Sequence, residues 1–386
     1  MKISIVGAGN AGCFTALHFG WHILSNKYDN VELELIYDPD ISPEPVGQAT
    51  VLEPPGLLWA ATGFNWYKNP IHATFKTGIL YKNWGKINEE FFHAFPADRF
   101  AMHYCPWEMQ KSILDSGLFN VKEAKISDTE EIDSDYIIDC RGKPKSYSGY
   151  RKLKNPINSC ILGSPKWDLS NEHWSTHTAT PDGWTFTIPT SKESPSHKYC
   201  VGYCYNNNIT TKEESTNNFL NLFDVEVSKH ISFENYVASN PMRDARTFLN
   251  GNRLFFLEPL ESSSTQIYLN VAKFAWDVIF SDSSPKNFAP KVFQEISKIE
   301  NFILWHYQFG SKYDTPFWDY AKSLEMTEDV EFEDFLNYAK MANKHEIIPG
   351  LYGGRTKDIS YAQWPLFSFK TWYDGMTQEL RYSSSS

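Results

Sequence analysis

The chain opens on an apolar run, Ile3 to Val6 with one serine in it. It passes through Gly7, Gly9 and Gly12 into "NAGCFTALHF", where the apolar positions take a helical period. A second run, "VELELIYD", alternates like a strand and ends on Asp38. Together these predict a βαβ unit at the N-terminus. Further along, "HYCPWEMQKSILDSG" predicts a helix, "SDYIIDCRG" a buried strand, and "WSTHTATPDGWTFTIPT" with "KYCVGYCYNN" a hairpin-like β region. "TKEESTNNFLNLF" predicts a helix and "RLFFLE" another buried strand. "TQIYLNVAKFAWDVIFSD" is amphipathic, with Ile267, Val271, Phe274, Ala275 and Val278 on one face. From Pro290 onward the pattern is mostly helical and aromatic, and the terminal serine run predicts disorder. The stretch between Pro39 and Phe75 is rich in Gly, Pro and aromatics and has no clear period; its length marks it as functional.

Glycines turn the first of these elements into candidate chemistry. Gly7, Gly9 and Gly12 make GxGxxG between a strand and a helix. The first permits the turn, the second lets backbone approach a pyrophosphate, and the third lets helix pack on strand. The helix N-terminus then faces the phosphates. Asp38 stands where a carboxylate would hold the ribose hydroxyls. The order of elements predicts an α/β fold of mixed α+β character: a Rossmann-like FAD-binding lobe of the flavoprotein monooxygenase type, an inserted β-sheet lobe and a helical C-terminal part. The boundaries expected are 1–60, 98–150 and 240–285 for the FAD lobe. Residues 61–97 and 151–239 would form the β-rich lobe, and 286–386 the helical part.

Composition narrows the function classes. The 386 residues carry a net charge of −11, which argues against a nucleic-acid partner. No window is apolar and long enough to span a membrane, and the start "MKISIVGAGNAG" is a strand, so the expected compartment is the cytoplasm. Six scattered cysteines show neither zinc spacing nor a disulfide framework, and no metal is expected. Aromatic residues make up 16%, which suits either a large flat ligand or an aromatic core.

One stretch resists a bland reading. "FLEPLESSSTQIY", Phe256 to Tyr268, sends two acids out of an apolar run straight into serines. It falls in order with three others: "FKTGILYKNW" (75–84), "GWTFTIP" (183–189) and "FILWHYQFGSKYDTPFW" (302–318). After an N-terminal GxGxxG, this set resembles the flavin-dependent halogenases, the group best known for halogenating tryptophan. "PVGQAT" (45–50) is similar to that family's flavin-contacting "GVGEAT" turn, and the resemblance runs over roughly residues 1–320. The chain is shorter than the tryptophan-acting members and is similar to a phage-encoded one. It departs from the family at Phe186, where a second tryptophan is usual, at Ser264, where a glycine is usual, and in "NRLFFLEPLES", where a longer glycine-containing loop is usual.

The resemblance implies the following chemistry. Reduced FAD and oxygen give a flavin hydroperoxide, a halide attacks its outer oxygen, and the hypohalous acid formed is guided to an electron-rich aromatic. Lys76 matches the essential lysine; a lysine among Phe75, Ile79 and Tyr81 would be desolvated. Its bland reading is an exposed strand lysine, as for Lys82. Glu261 matches the glutamate that polarises the oxidant or takes the ring proton, and Glu258 is the second choice. Ser263 and Ser264 match the halide-binding pair at a helix beginning near Thr265, where the serines would also cap. Gly47, Gln48, Ala49, Ala11 and Thr265 join Gly7, Gly9, Gly12 and Asp38 as FAD contacts. Ser262, Trp184, Phe186 and Ile188 would support the site, Trp184 and Ile188 as a lid on the flavin side. His306 reads as a satisfied core histidine. No second nucleotide fingerprint is visible, so a separate NAD(P)H-dependent flavin reductase is expected beside the small aromatic substrate; a homo-oligomer is left open. An FAD-dependent aromatic hydroxylase, or a flavin-binding protein without turnover, would share the scaffold.

Overall fold

The computed structural model describes residues 1–43, 45–96, 99–342 and 360–378. The terminal serine run expected to be disordered lies outside them.

The N-terminal βαβ unit builds a five-stranded, all-parallel sheet in the order Thr247–Leu249, Tyr136–Asp139, Lys2–Val6, Glu32–Tyr37, Asn120–Glu123. Parallel strands need crossovers that cover the faces. Helices α1 (Asn10–Ser25), α2 (Glu53–Thr62) and α3 (Pro106–Leu114) pack in this lobe. Helix α2 falls in the stretch that showed no period. Pro54 and Pro55 sit in its first turn, where no intrahelical N–H is lost, so the prolines that look like breakers start the helix.

A seven-stranded sheet forms the second lobe, in the order Val225–Ser232, Ser159–Pro165, Val201–Tyr205, Gly183–Thr187, Ser175–Thr180, Gly78–Lys82, Glu90–Ala94. Its neighbours are antiparallel except Ser175–Thr180 with Gly78–Lys82. Helix α4 (Lys212–Leu222) starts on a capping box between Thr211 and Glu214. A small antiparallel sheet, Gln48–Ala49, Ala101–Tyr104, Thr74–Lys76, bridges the two lobes.

The expected strand "RLFFLE" is mostly irregular: Gly251–Arg253 is a 3-10 turn and only Phe255–Phe256 pairs. Gly251 explains it. Its φ is +60°, and a Cβ there would stand 2.4 Å from the Ala11 Cβ. The backbone must turn there to pass the first turn of α1. Helix α5 (Ser264–Phe280) buries Ile267, Val271 and Ala275, while Phe274 and Val278 are half-buried. Helices α6 (Phe288–Gln308), α7 (Pro316–Ser323), α8 (Val330–Met341) and α9 (Leu366–Thr377) make the C-terminal part. A short hairpin, Ser360–Tyr361 with Trp364–Pro365, leads into α9. Among the described residues no helix is long and apolar enough to cross a membrane.

Candidate active site

The glycine turn has the geometry a dinucleotide needs. Gly7 has φ +100°, and a Cβ there would lie 2.7 Å from the Cys140 carbonyl oxygen. At Gly12 a Cβ would fall 1.7 Å from the Gly7 carbonyl oxygen. A Cβ at Gly9, by contrast, meets nothing within 4 Å. Gly9 is the extended N-cap of α1 and offers no side-chain cap, so no N-cap side chain takes the first-turn N–H groups. Asp38 is half-buried at the end of Glu32–Tyr37 and accepts from the Asp40 N–H at 3.0 Å. Gly47 packs on the far end of the "GWTFTIP" strand: a Cβ would come 3.1 Å from Thr190 and 3.6 Å from Ile188. Gln48 is half-buried, Ala49 is buried, and they pair with Tyr104 and His103. These features fit FAD at the sheet's carboxyl edge. Asn250 was not singled out from sequence. It ties the turn to both helices, donating to Thr15 Oγ1 at 3.0 Å on α1 and to the Tyr268 carbonyl at 2.9 Å on α5.

Three of the quoted motifs meet at Lys76. The side chain is fully buried. Its Nζ donates to the Thr50 carbonyl at 3.2 Å, from the "PVGQAT" turn, and to Ser262 Oγ at 2.9 Å, from the serine run. The Phe95 ring lies 5.2 Å from the ammonium position. Burial pulls the amine down to about 7, and the Glu261 charge only partly opposes this. Ser262 takes φ +55°, a left-handed conformation that costs a residue with a side chain, and this turns its hydroxyl onto Lys76.

Glu261 is buried at the opposite side of that turn. Oε1 accepts from the Tyr81 hydroxyl, from Trp372 Nε1 at 3.2 Å, and lies 3.2 Å from His306 Nε2. Oε2 accepts from Trp364 Nε1 at 3.0 Å, with His93 Nδ1 at 3.8 Å. Burial alone would raise the carboxyl. The His306 hydrogen bond and the charges of His93 and His306 outweigh it and hold the group well below the usual carboxylate range.

Glu258 faces the other way. It accepts from Asn155 Nδ2 at 2.7 Å, Trp184 Nε1 at 2.9 Å and the Tyr307 hydroxyl at 2.8 Å. Burial raises it to about 7 despite these donors. Its partners are all structural groups of the sheet lobe and α6, so this acid ties those elements together. Consecutive residues of α6 thus serve the two acids: His306 meets Glu261, and Tyr307 meets Glu258.

The serine run differs from the capping expected. Helix α5 begins at Ser264, and Ser263, its N-cap, sits in the right-handed helical region and makes no side-chain cap bond. An N-cap side chain needs extended backbone to reach the N2 or N3 amide, so Ser263 cannot serve. The first-turn amides are therefore left to another acceptor. Ser263 is buried, Ser264 is half-buried, and the Thr265 hydroxyl is buried with no partner.

Trp184 and Phe186 project to one face of their strand, with ring centroids 6.1 Å apart, and meet different partners. The strand Gly183–Thr187 is buried on both sides. Trp184 is committed to Glu258 and packs on His177 at 4.9 Å between rings. Phe186 covers Gly202, where a Cβ would come 2.1 Å from its ring. Ile188 reaches the Gly47 turn. His306 is buried as expected of a core histidine, yet it touches the candidate catalytic acid. Tyr81, His93, Trp364 and Trp372 were not singled out as site residues, because no local spacing connects them to Glu261.

Known proteins carry the same arrangement of elements. Xcc4156, a flavin-dependent halogenase from Xanthomonas campestris, superposes with a TM-score of 0.76 over 97% of this chain and 88% of its own, at 15% identity. That likeness is one of fold. In sequence, the tryptophan 6-halogenase ThaL of Streptomyces albogriseolus is 27% identical over 169 residues, 42% of this chain and 30% of the relative. The tryptophan 7-halogenase RebH of Lentzea aerocolonigenes is 22% identical over 248 residues, 58% of this chain and 44% of the relative. The matched stretches thus span less than half of either curated relative. A family model described as tryptophan halogenase matches residues 2–115 and 108–376. With the glycine turn, the buried lysine and the glutamate all inside those spans, the chain belongs to the tryptophan halogenase family.

Proposed function

We propose that this chain is a flavin-dependent halogenase that works on a small electron-rich aromatic, with reduced FAD delivered by a separate NAD(P)H-dependent flavin reductase. The observation that carries the reading is Lys76: buried, brought down to about 7, and held between the "PVGQAT" turn and the serine run. When bound, reduced FAD with oxygen would supply the oxidising power that turns a halide into an electrophile. Gly7, Gly9, Gly12, Asp38, Gly47, Gln48 and Ala49, with Ala11 and Thr265 behind them, would hold it.

The chain's own residues do the rest. At neutral pH Lys76 is present both as ammonium and as amine. The ammonium can donate to the oxygen of a hypohalous acid, and the amine can take the halogen from it as the O–X bond breaks, an N–H proton is lost and water leaves. The free amides of α5, with Ser263 and Ser264, offer a positive helix end to the halide. Glu261 supplies a fixed negative charge that favours the cation developing on the ring. Its Oε2 has the fewer donors, so a ring proton meets it there. Oε1 is filled by Tyr81, Trp372 and His306. A substrate that reaches Oε2 takes the place of the Trp364 N–H.

The test is product formation with a flavin reductase, NADH, FAD and bromide over a panel of indoles and phenols, read by mass spectrometry for the halogen isotope pattern. Brominated product that vanishes in Lys76→Ala is expected. An oxygenated product formed equally well without halide would replace this reading with the hydroxylase.

A further inference from the structure

His306 lies at the end of α6, fully buried, in a stretch that spacing alone does not explain. Its Nδ1 is 2.6 Å from the Phe302 carbonyl oxygen one turn earlier, and its Nε2 is 3.2 Å from Glu261 Oε1. A carbonyl has no proton to give, so Nδ1 carries one and donates. An ionised carboxylate also only accepts. The contact at Nε2 is therefore attractive only if a second proton lies between ring and carboxyl. Tyr81, Trp372 and Trp364 all donate to the same carboxyl, and each favours its charged form. The second proton accordingly belongs to Nε2.

We propose that His306 is a positioning residue, an imidazolium with protons on both nitrogens, which fixes the Glu261 carboxylate and keeps it ionised beside the reaction site. It touches no reacting atom and acts through Glu261.

The surroundings agree. The Trp372 ring lies 3.5 Å from the imidazole centroid, and the Phe302 ring 4.8 Å. Electron-rich rings at this range favour a cation. Tyr81 faces it from the strand Gly78–Lys82 at 6.3 Å. The other titratable groups here are His93, His177 and Lys76. His93 and His177 are buried and pulled down chiefly by burial; the Glu261 charge opposes this, and the neighbouring positive charges of Lys76 and His306 add to it. His93 Nε2 is taken by Ser368 at 2.9 Å. Among the described residues no second buried carboxylate shares the cation, and Glu258 is served by Tyr307.

Two measurements test this. The first does not depend on the halogenase reading. In protein labelled with nitrogen-15 histidine, the His306 signal, assigned by its loss in His306→Gln, should show protons on both nitrogens near neutral pH. A bare nitrogen on His306 in the unmodified protein overturns the proposal, whether or not any variant folds. In Glu261→Gln one nitrogen should become bare; protons on both nitrogens in that variant would also overturn it.

The second measurement rests on the reading of Glu261 given above. The acid limb of the halogenation rate against pH should move up by about one unit in His306→Gln, because Gln keeps a donor at the carboxyl but carries no charge. A rate lowered equally at every pH would reduce His306 to a structural contact. Glu261→Gln with wild-type halogenation would remove the role given to Glu261 while leaving the nitrogen-15 result standing.

Discussion

Lys76 Nζ donates to Ser262 Oγ at 2.9 Å, across 186 residues of sequence. That bond joins the strand Thr74–Lys76 to the turn that leads into α5. The Thr50 carbonyl completes the contact at 3.2 Å. A buried amine with two oxygen partners and no carboxylate in direct contact is held in place without being neutralised. Such a group keeps its nucleophilicity near neutral pH.

The lysine carries a stability signature as well as a catalytic one. Its ordinary value of 10.5 falls to about 7 in the folded chain. Between these values the unfolded chain binds the extra proton, so stability rises with pH across the window, by at most about 1.4 kcal/mol per pH unit. Lys76→Met should remove that slope, so urea unfolding from pH 7 upward would show a flatter profile than the wild type. The same variant should lose halogenation by ~10²-fold or more while reduced flavin is still reoxidised by oxygen. Near-normal halogenation in Lys76→Met would refute the role assigned to the amine.

The two acids of "EPLE" should behave differently. Glu258 is raised from 4.5 to about 7, chiefly by burial. Its stabilising contribution is therefore complete below pH 4.5 and lost as pH rises towards 7. Glu258→Gln should flatten that loss and change halogenation little, since its donors are structural. Glu261→Gln puts an amide N–H among the donors Tyr81, Trp364 and Trp372. It should cost ~3 kcal/mol in denaturant unfolding and ~10²–10⁴ in rate. Loss of halogenation at Glu258→Gln with none at Glu261→Gln would reverse the assignment.

How much of this was readable follows from distance along the chain. The glycine turn, α1 and the strand before Asp38 are local, and their residue types dictate their geometry. The order of "FKTG", "GWTFTIP" and "PLESSS" pointed to Lys76 and Glu261 through resemblance. The same order left unresolved which way each acid of "EPLE" faces. Pro259 and Leu260 separate them, and distant donors sort them, among them His306 and Tyr307 on α6. Trp364 and Trp372 lie more than 100 residues from Glu261. Nothing in a helical period says that an indole N–H will meet a particular carboxylate. Helix α2 was hidden by prolines whose effect depends on position within the first turn.

The three glycines of the turn make a second pair of contrasts. Gly9→Trp should leave the fold intact, because a Cβ there meets no protein atom within 4 Å, and should abolish FAD binding. Gly12→Val should instead unfold the lobe, because its Cβ would overlap the Gly7 carbonyl. Thermal melts with and without FAD separate the two. FAD bound to Gly9→Trp with unchanged affinity would reject the pyrophosphate approach assigned to this turn.

Halide choice follows from what lines the start of α5. Ser262 is committed to Lys76, and Ser263 makes no cap bond, so an anion there meets amides and the unpartnered Thr265 hydroxyl. Ser264, where the family usually has glycine, adds a half-buried side chain near this end. The cost of removing a halide from water falls as its radius grows, and oxidation becomes easier from chloride to iodide. Bromide and iodide should therefore be used more readily than chloride. Competition at equal halide concentrations, with free hypohalous acid scavenged, checks this by product ratio. A dominant chlorinated product would show that Ser264 tightens the site around the small ion. Ser264→Gly should then shift the ratio back toward bromide.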